Sequence, residues 1–156
     1  MSDGLAISGV LAILTTAAAF YGNRRLFQGN AVGRVTPLEA LYYAIGICSL
    51  LLGWYFNVRY VHHYGHRATY VNYTKMLFTN WAADSAAQDY IIVNVVLLPL
   101  WTIIDGRRRD LRIPWIFFVM SLFTSLAFSM AMFLAFIERQ LRFNLASRHD
   151  AASSTA

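Results

Sequence analysis

Charge is the scarcest property of this 156-residue sequence: 13% of its residues are Asp, Glu, Lys or Arg, against roughly 25% in a soluble domain. A soluble chain of this size needs a polar coat. A chain in lipid needs polar side chains only at its two water interfaces. With 58% of residues hydrophobic, the deficit excludes an ordinary soluble globule and points to an integral membrane protein. Cysteine is nearly absent as well, and the lone Cys48 excludes an intramolecular disulfide. There is no phosphate-binding glycine loop, no CxxC and no Ser/His/Asp set, so hydrolase, nucleotide and dithiol chemistry have no support. The net charge of +5 comes from arginines in short clusters between apolar runs, not from a basic stripe. The expected partners are therefore the lipid bilayer and its anionic lipids, with no nucleic acid.

The apolar runs predict an all-α protein, an integral membrane four-helix bundle. The spans fall at about residues 4–23, 38–58, 86–104 and 114–137, in a single transmembrane domain over 1–145 with a polar tail over 146–156. Arg24 and Arg25 follow the first run instead of preceding it, so it reads as a retained helix and not a secretory signal. Pro37 suits the first turn of the second helix. The uncharged run between Asp89 and Asp105 is too short to cross comfortably, so either the bilayer thins locally or the third helix starts near Ala86 and takes Asp89 about one turn below the interface. Pro99 predicts a kink within it. Between the second and third spans, Tyr70, Tyr73, Leu77 and Trp81 recur at helical spacing, and an interfacial amphipathic segment is expected over about 60–84.

Four spans would put both termini on one side and the connections 24–37 and 105–113 on the other. Seven arginines then face one compartment, and six cationic side chains, including Arg139, Arg142 and Arg148, face its opposite. The seven are concentrated in two short loops, which places those loops in the cytoplasm of a bacterial inner membrane and the termini outside. Tyr21, Tyr42, Tyr43, Trp101 and Trp115 form an aromatic belt at the arginine loops; Trp54, Tyr55, Tyr60, Trp81 and Tyr90 form the other.

Small residues at spacings of three and four mark helix-packing faces: Gly46, Ser49 and Gly53 on the second span, Ser121, Ser125 and Ser129 on the fourth. Arg107, Arg108, Arg109 and Arg112 are the candidate lipid or partner contacts. Glu39 and Asp105 are expected to pair with Arg107, Arg108 and Arg109, tying the second span to the third. His62, His63 and His66 are the candidate metal ligands, but no HExxH pattern accompanies them and no metal is expected. Asp89 is the sharpest candidate for chemistry, since an ionisable residue below the interface is costly. Its structural alternative is helix capping or a pair with Arg59. Asn94, deeper in the same span, is expected to hydrogen-bond between helices.

At Leu77-Phe78 with Asn80, Asp89, Asp105-Gly106-Arg107-Arg108, Trp115 and Glu138, the chain resembles the bacterial membrane proteins catalogued as domain-of-unknown-function family 2834. The likeness spans about residues 38–139. Asp105 replaces the Glu of that family's E-G-R-R, and the last span closes on Ile137-Glu138-Arg139. The resemblance implies a three-span scaffold, to which the first span is an addition, and it brings no activity or cofactor. The leading reading is a non-catalytic accessory or assembly subunit of a larger membrane complex. The alternative is a small enzyme or carrier acting on an isoprenoid or other lipid, with Asp89 as a protonated general acid.

Overall fold

A computed structural model describes residues 3–28 and 34–153. These residues are all-helical, with no strand among them. The helices are α1 (Asp3–Gly22), α2 (Pro37–Tyr64), α3 (Tyr70–Met76), α4 (Trp81–Ile92), α5 (Leu98–Arg108), α6 (Ile116–Ser121) and α7 (Leu126–Ser153). Residues 29–33 of the first connection and 154–156 of the polar tail lie outside the described residues. Three stretches are long and apolar enough to cross a membrane: Gly4–Gly22, Pro37–Arg67 and Trp81–Arg108.

Local chemistry sets where these helices start. Thr36 caps α2 by accepting from the Glu39 amide at 3.1 Å, and Pro37 occupies the first turn, where its missing N–H costs nothing. Asn80 caps α4 by accepting from the Ala82 and Ala83 amides at 3.1 Å each. That cap starts the third stretch at Trp81, earlier than the expected Ala86. The stretch reaches 28 residues, about 42 Å of helix, so its length is ample. Pro99 does not break it. A π-helical turn over Val93–Leu97 joins α4 to α5, with the Leu98 amide donating to the Val93 carbonyl five residues back. The wider turn makes room for a proline ring that would otherwise press on the preceding carbonyl.

The expected interfacial helix from Tyr70 to Trp81 is replaced by shorter pieces. α2 continues to Tyr64, α3 ends at Met76, and Trp81 opens α4. Two caps divide the segment: Thr69 accepts from the Asn72 amide at 3.2 Å, and Asn80 begins the next helix. Tyr60 pins α3 to the end of α2 by donating to the Thr69 carbonyl at 3.2 Å and meeting the Tyr73 ring edge-on at 5.5 Å.

The largest departure is the fourth span. Instead of one helix from Pro114 to Ile137, α6 ends at Ser121, the chain turns through residues 122–125, and α7 runs back. Ser125 makes the break, its hydroxyl accepting from the Phe128 amide at 3.0 Å as an N-terminal cap. The Phe117 ring lies 5.5 Å from Phe133 and 5.3 Å from Phe136. In a continuous helix Phe117 and Phe136 would be about 28 Å apart, so α6 and α7 form a fold-back. The Ser129 hydroxyl donates to the Phe117 carbonyl and seals it. The apolar part of α7, from Leu126 to Ile137, is about 18 Å long, too short to cross.

The polar half of α7 therefore returns to the end of the molecule that holds the arginine turn. The two ends of the described chain stand at opposite ends of the bundle, not on one side. The packed core collects at the arginine end, around Phe117, Met120, Phe133 and Phe136, all fully buried, with Leu26 and Leu111 beside them.

Candidate functional site

Glu39, at the start of α2, is fully buried. It accepts from Arg139 Nη1 at 2.7 Å, from Arg142 Nη2 and from the Tyr43 hydroxyl at 3.2 Å. Arg139 Nε also donates to the Leu26 carbonyl at 2.7 Å, and its guanidinium lies 4.5 Å from the Phe27 ring centroid. Arg142 Nη1 donates to the Arg34 carbonyl at 2.9 Å. A carboxylate with this many donors is fully compensated, whereas losing it would strand two guanidinium groups. The expected tie between Glu39 and Arg107, Arg108 and Arg109 is thus not formed. The fold-back brings α7 closer, and Glu39 joins α2 to α7 and to the first connection. Asp105 pairs within its own helix, with Arg109 at 2.9 Å.

The turn after α5 is held in a demanding shape. Asp110 and Ile113 adopt positive φ of 62° and 45°, a region that costs an L-residue on the order of 1–3 kcal/mol and suits a β-branched side chain least. A Cβ added at Gly106 would sit 2.5 Å from the Pro114 Cβ, so only glycine allows the chain to double back here. The end of α1 clamps the turn from the side. Asn23, fully buried, donates to the Arg112 carbonyl at 2.9 Å and accepts from the Arg112 amide at 2.9 Å. Arg25 donates to the Asp110 carbonyl and to Gln140 Oε1 at 3.3 Å. Gln140 in turn donates to Asn144 at 2.7 Å, and Asn144 to the Arg109 carbonyl at 3.3 Å.

Two open clefts flank this turn. The first, about 660 Å³, is lined by Arg25, Arg107, Arg112 and Arg148, with Asp110 and Asn144 among its other walls. The second, about 510 Å³, shares Asp110, Asn144 and Arg148 and adds Asp105, Arg108, Arg109, Leu141 and Leu145. In the first cleft Arg25 Nε is buried with no hydrogen-bond partner among the described residues. Burial, then the nearby charge of Arg112, pushes the Arg25 guanidinium below its ordinary value, and Asp110 opposes that in part. Chemically the arrangement can receive an anion, since guanidinium groups line the cleft in positive excess and one of them is short of a partner.

The other sequence candidates are dispersed. Asp89 is exposed and accepts from its neighbour Gln88 at 2.7 Å, while Arg59 donates to the Tyr55 hydroxyl at 2.9 Å. His62 and His63 end α2 and His66 lies in the following 3-10 turn. Among the described residues no group of three or more His, Cys, Asp or Glu is placed to hold a metal. Asn94, buried in the π turn, accepts from Ser121 of α6 at 2.8 Å. Ser49 and Ser125 share a hydrogen bond of 2.8 Å. A Cβ at Gly46 would meet Ala131 and Phe128 at 3.5 Å, and one at Gly53 would meet Ser125 at 3.9 Å. Ser121, Ser125 and Ser129 form no single helix face: one bonds α4's continuation, one α2, and one the carbonyl of Phe117.

The profile of the family described as "Protein of unknown function DUF2834" matches residues 41–139, well over half of the chain. The chain belongs to that family. No curated protein and no solved structure matches it. The matched stretch of the DUF2834 chain runs from α2 to the Glu138-Arg139 pair of α7, and α1 is outside it. Within it, Asn80 is the cap of α4, Asp105-Gly106-Arg107-Arg108 is the end of α5 where Gly106 permits the turn, and Glu138 lies 3.8 Å from Arg142.

Sequence reasoning passed over Asn23, Gln140 and Asn144, took Arg25 only as the end of the first span, and assigned Arg139, Arg142 and Arg148 to the opposite side. The signal was present in the spacing of Arg139, Gln140, Phe143 and Asn144, which continues a helix beyond Glu138. The near-equal arginine count on the two sides was a second signal.

Proposed function

We propose that this DUF2834 protein is a non-catalytic accessory or assembly subunit of a larger membrane complex in the bacterial inner membrane, with its arginine end in the cytoplasm. One observation carries the subunit reading. Because α7 starts midway along the bundle, the end distant from the arginine turn has three helical stretches where the other end has more. In α2 only 6% of the most apolar 18-residue stretch is buried, and Tyr90, Ile91 and Ile92 of α4 are exposed. A partner helix of another subunit fits the place that a complete fourth span would fill.

The orientation rests on charge. Arg139, Arg142 and Arg148 join the seven arginines of the two connections at one end, leaving only Arg59, Arg67 and Lys75 of the 13 Lys and Arg residues at the other. A bias this steep favours that end inside. The lipid-enzyme alternative leans on Asp89, whose exposed carboxylate is engaged by its neighbour Gln88.

The test is site-specific photocrosslinking in native membranes from Tyr90 and, as a control, from Ile13 on the outer side of α1. The subunit reading expects one discrete protein adduct from position 90 and none from position 13. Lipid adducts alone from both positions overturn it. For orientation, a Cys48→Ser background with Ser147→Cys or His63→Cys should react with an impermeant maleimide in intact cells only at position 63.

A further inference from the structure

We propose that the paired clefts at the arginine turn form a specific site for a membrane lipid with a dianionic phosphate headgroup. The phosphate sits in the first cleft, and the start of its apolar chains lies along Leu141 and Leu145 in the second. The proposal rests on the reading of this end as lying at the lipid headgroups; it does not need a partner subunit.

Among the described residues, the first cleft sets Arg25, Arg107, Arg112 and Arg148 against the one carboxylate of Asp110. Glu39 and Asp105 are spent elsewhere, on Arg139 and Arg142 and on Arg109. Arg107, Arg112 and Arg148 have no side-chain partner among the described residues, and Arg25 Nε is buried without one. An excess of positive charge this large calls for a ligand with more than one negative charge. A phosphate's oxygens match the planar fork of guanidinium donors.

Generic attraction to an anionic surface needs only mobile arginines. Here the arginines come from three separate parts of the chain: Arg25 after α1, Arg107 and Arg112 around the turn, Arg148 on α7. The turn that presents two of them holds Asp110 and Ile113 at positive φ, and Asn23 and Arg25 restrain it there. Backbone strain that persists because its surroundings enforce it is a mark of a preorganised site. The second cleft distinguishes lipid from free phosphate. Leu145 is 65% exposed and Leu141 36%, two apolar side chains one turn apart that stand in the second cleft beside the charged Arg108, Arg109 and Arg148. They suit the boundary between headgroup and acyl chain.

The experiment is native mass spectrometry of the full-length protein in mild detergent, titrated separately with phosphatidic acid, with phosphatidylglycerol and with inorganic phosphate. Phosphatidic acid should be retained about tenfold more tightly than phosphatidylglycerol, whose single diester charge satisfies fewer donors. Inorganic phosphate at millimolar concentration should not displace it. Arg112→Gln and Arg148→Gln should each lower phosphatidic acid retention about tenfold. Arg24→Gln removes the same charge at the same end, from a side chain that stacks on Tyr21, and should change it less than about twofold. Equal retention of the two lipids, displacement by inorganic phosphate, or an equal loss in all three variants overturns the proposal. A folded protein with normal partner crosslinks but no lipid selectivity would reject the lipid site and leave the subunit reading standing.

Discussion

The end of the molecule around Glu39 and the end around Trp81 are both helical but are built by different means. At the first, side chains that follow α1 and side chains of α2 and α7 form adjoining sets of long-range bonds, with Glu39, Asn23 and Gln140 fully buried and every one of them bonded across the fold. At the second, the polar bonds are mostly local: Thr69 and Asn80 cap their own helices, Arg59 bonds Tyr55 four residues away, and Trp81 is 90% exposed. Buried polar groups are costly unless paired, so the network specifies one arrangement of helices. Local caps specify where helices begin and leave their relative placement open. Where a helix end carries few cross-chain bonds, it is the better place to receive something from outside.

Breaking the network should show this difference at its greatest. Glu39→Ala leaves Arg139 and Arg142 facing a buried gap and should cost about 3–5 kcal/mol, read by thermal or denaturant unfolding in detergent. A loss under about 1 kcal/mol would mean that the arginines simply swing to water. Next in size, Gly106→Ala sets a Cβ against Pro114 and should destabilise by roughly 1–3 kcal/mol; wild-type stability would show that the turn opens freely. Ser49→Ala removes the hydrogen bond to Ser125, and double-mutant cycles with Ser125→Ala should return about 0.6 kcal/mol and at most about 1.7. At the opposite end, Asp89→Asn should shift stability by no more than about 0.5 kcal/mol. It should also leave the position-90 crosslink intact. A destabilisation comparable to that of Glu39→Ala would erase the contrast between the two ends.

How much was legible depended on how local each interaction is. Thr36-Pro37 and the Asn80 that precedes Trp81 are start signals readable within four residues, although Asn80 was read as part of the family resemblance and not as a cap, so the third helix was placed too late. Pro99 announced a disturbance but not its kind, because a kink and a π turn both relieve the same clash. Gly46, Ser49 and Gly53 were readable as a face by spacing alone; which helix lies on it was not. Glu39 was recognised as needing a cation and assigned the wrong one, since a four-span topology sets it on the side of Arg107, Arg108 and Arg109 and sends Arg139 and Arg142 to the other.

The sequence by itself determined that the chain is helical and apolar enough for membrane spans, that arginine gathers between the runs, and which family it resembles. Those properties are sums over composition and short-range spacing, and tertiary contacts do not alter them. The tertiary structure alone decided that residues 114–137 reverse before Ser125 and do not form one continuous helix. A serine in an apolar run is compatible with either outcome, and the choice falls to packing of Phe117 against Phe133 and Phe136. That one reversal moves three arginines from one end of the protein to the other. It completes the Glu39 network and assembles the clefts.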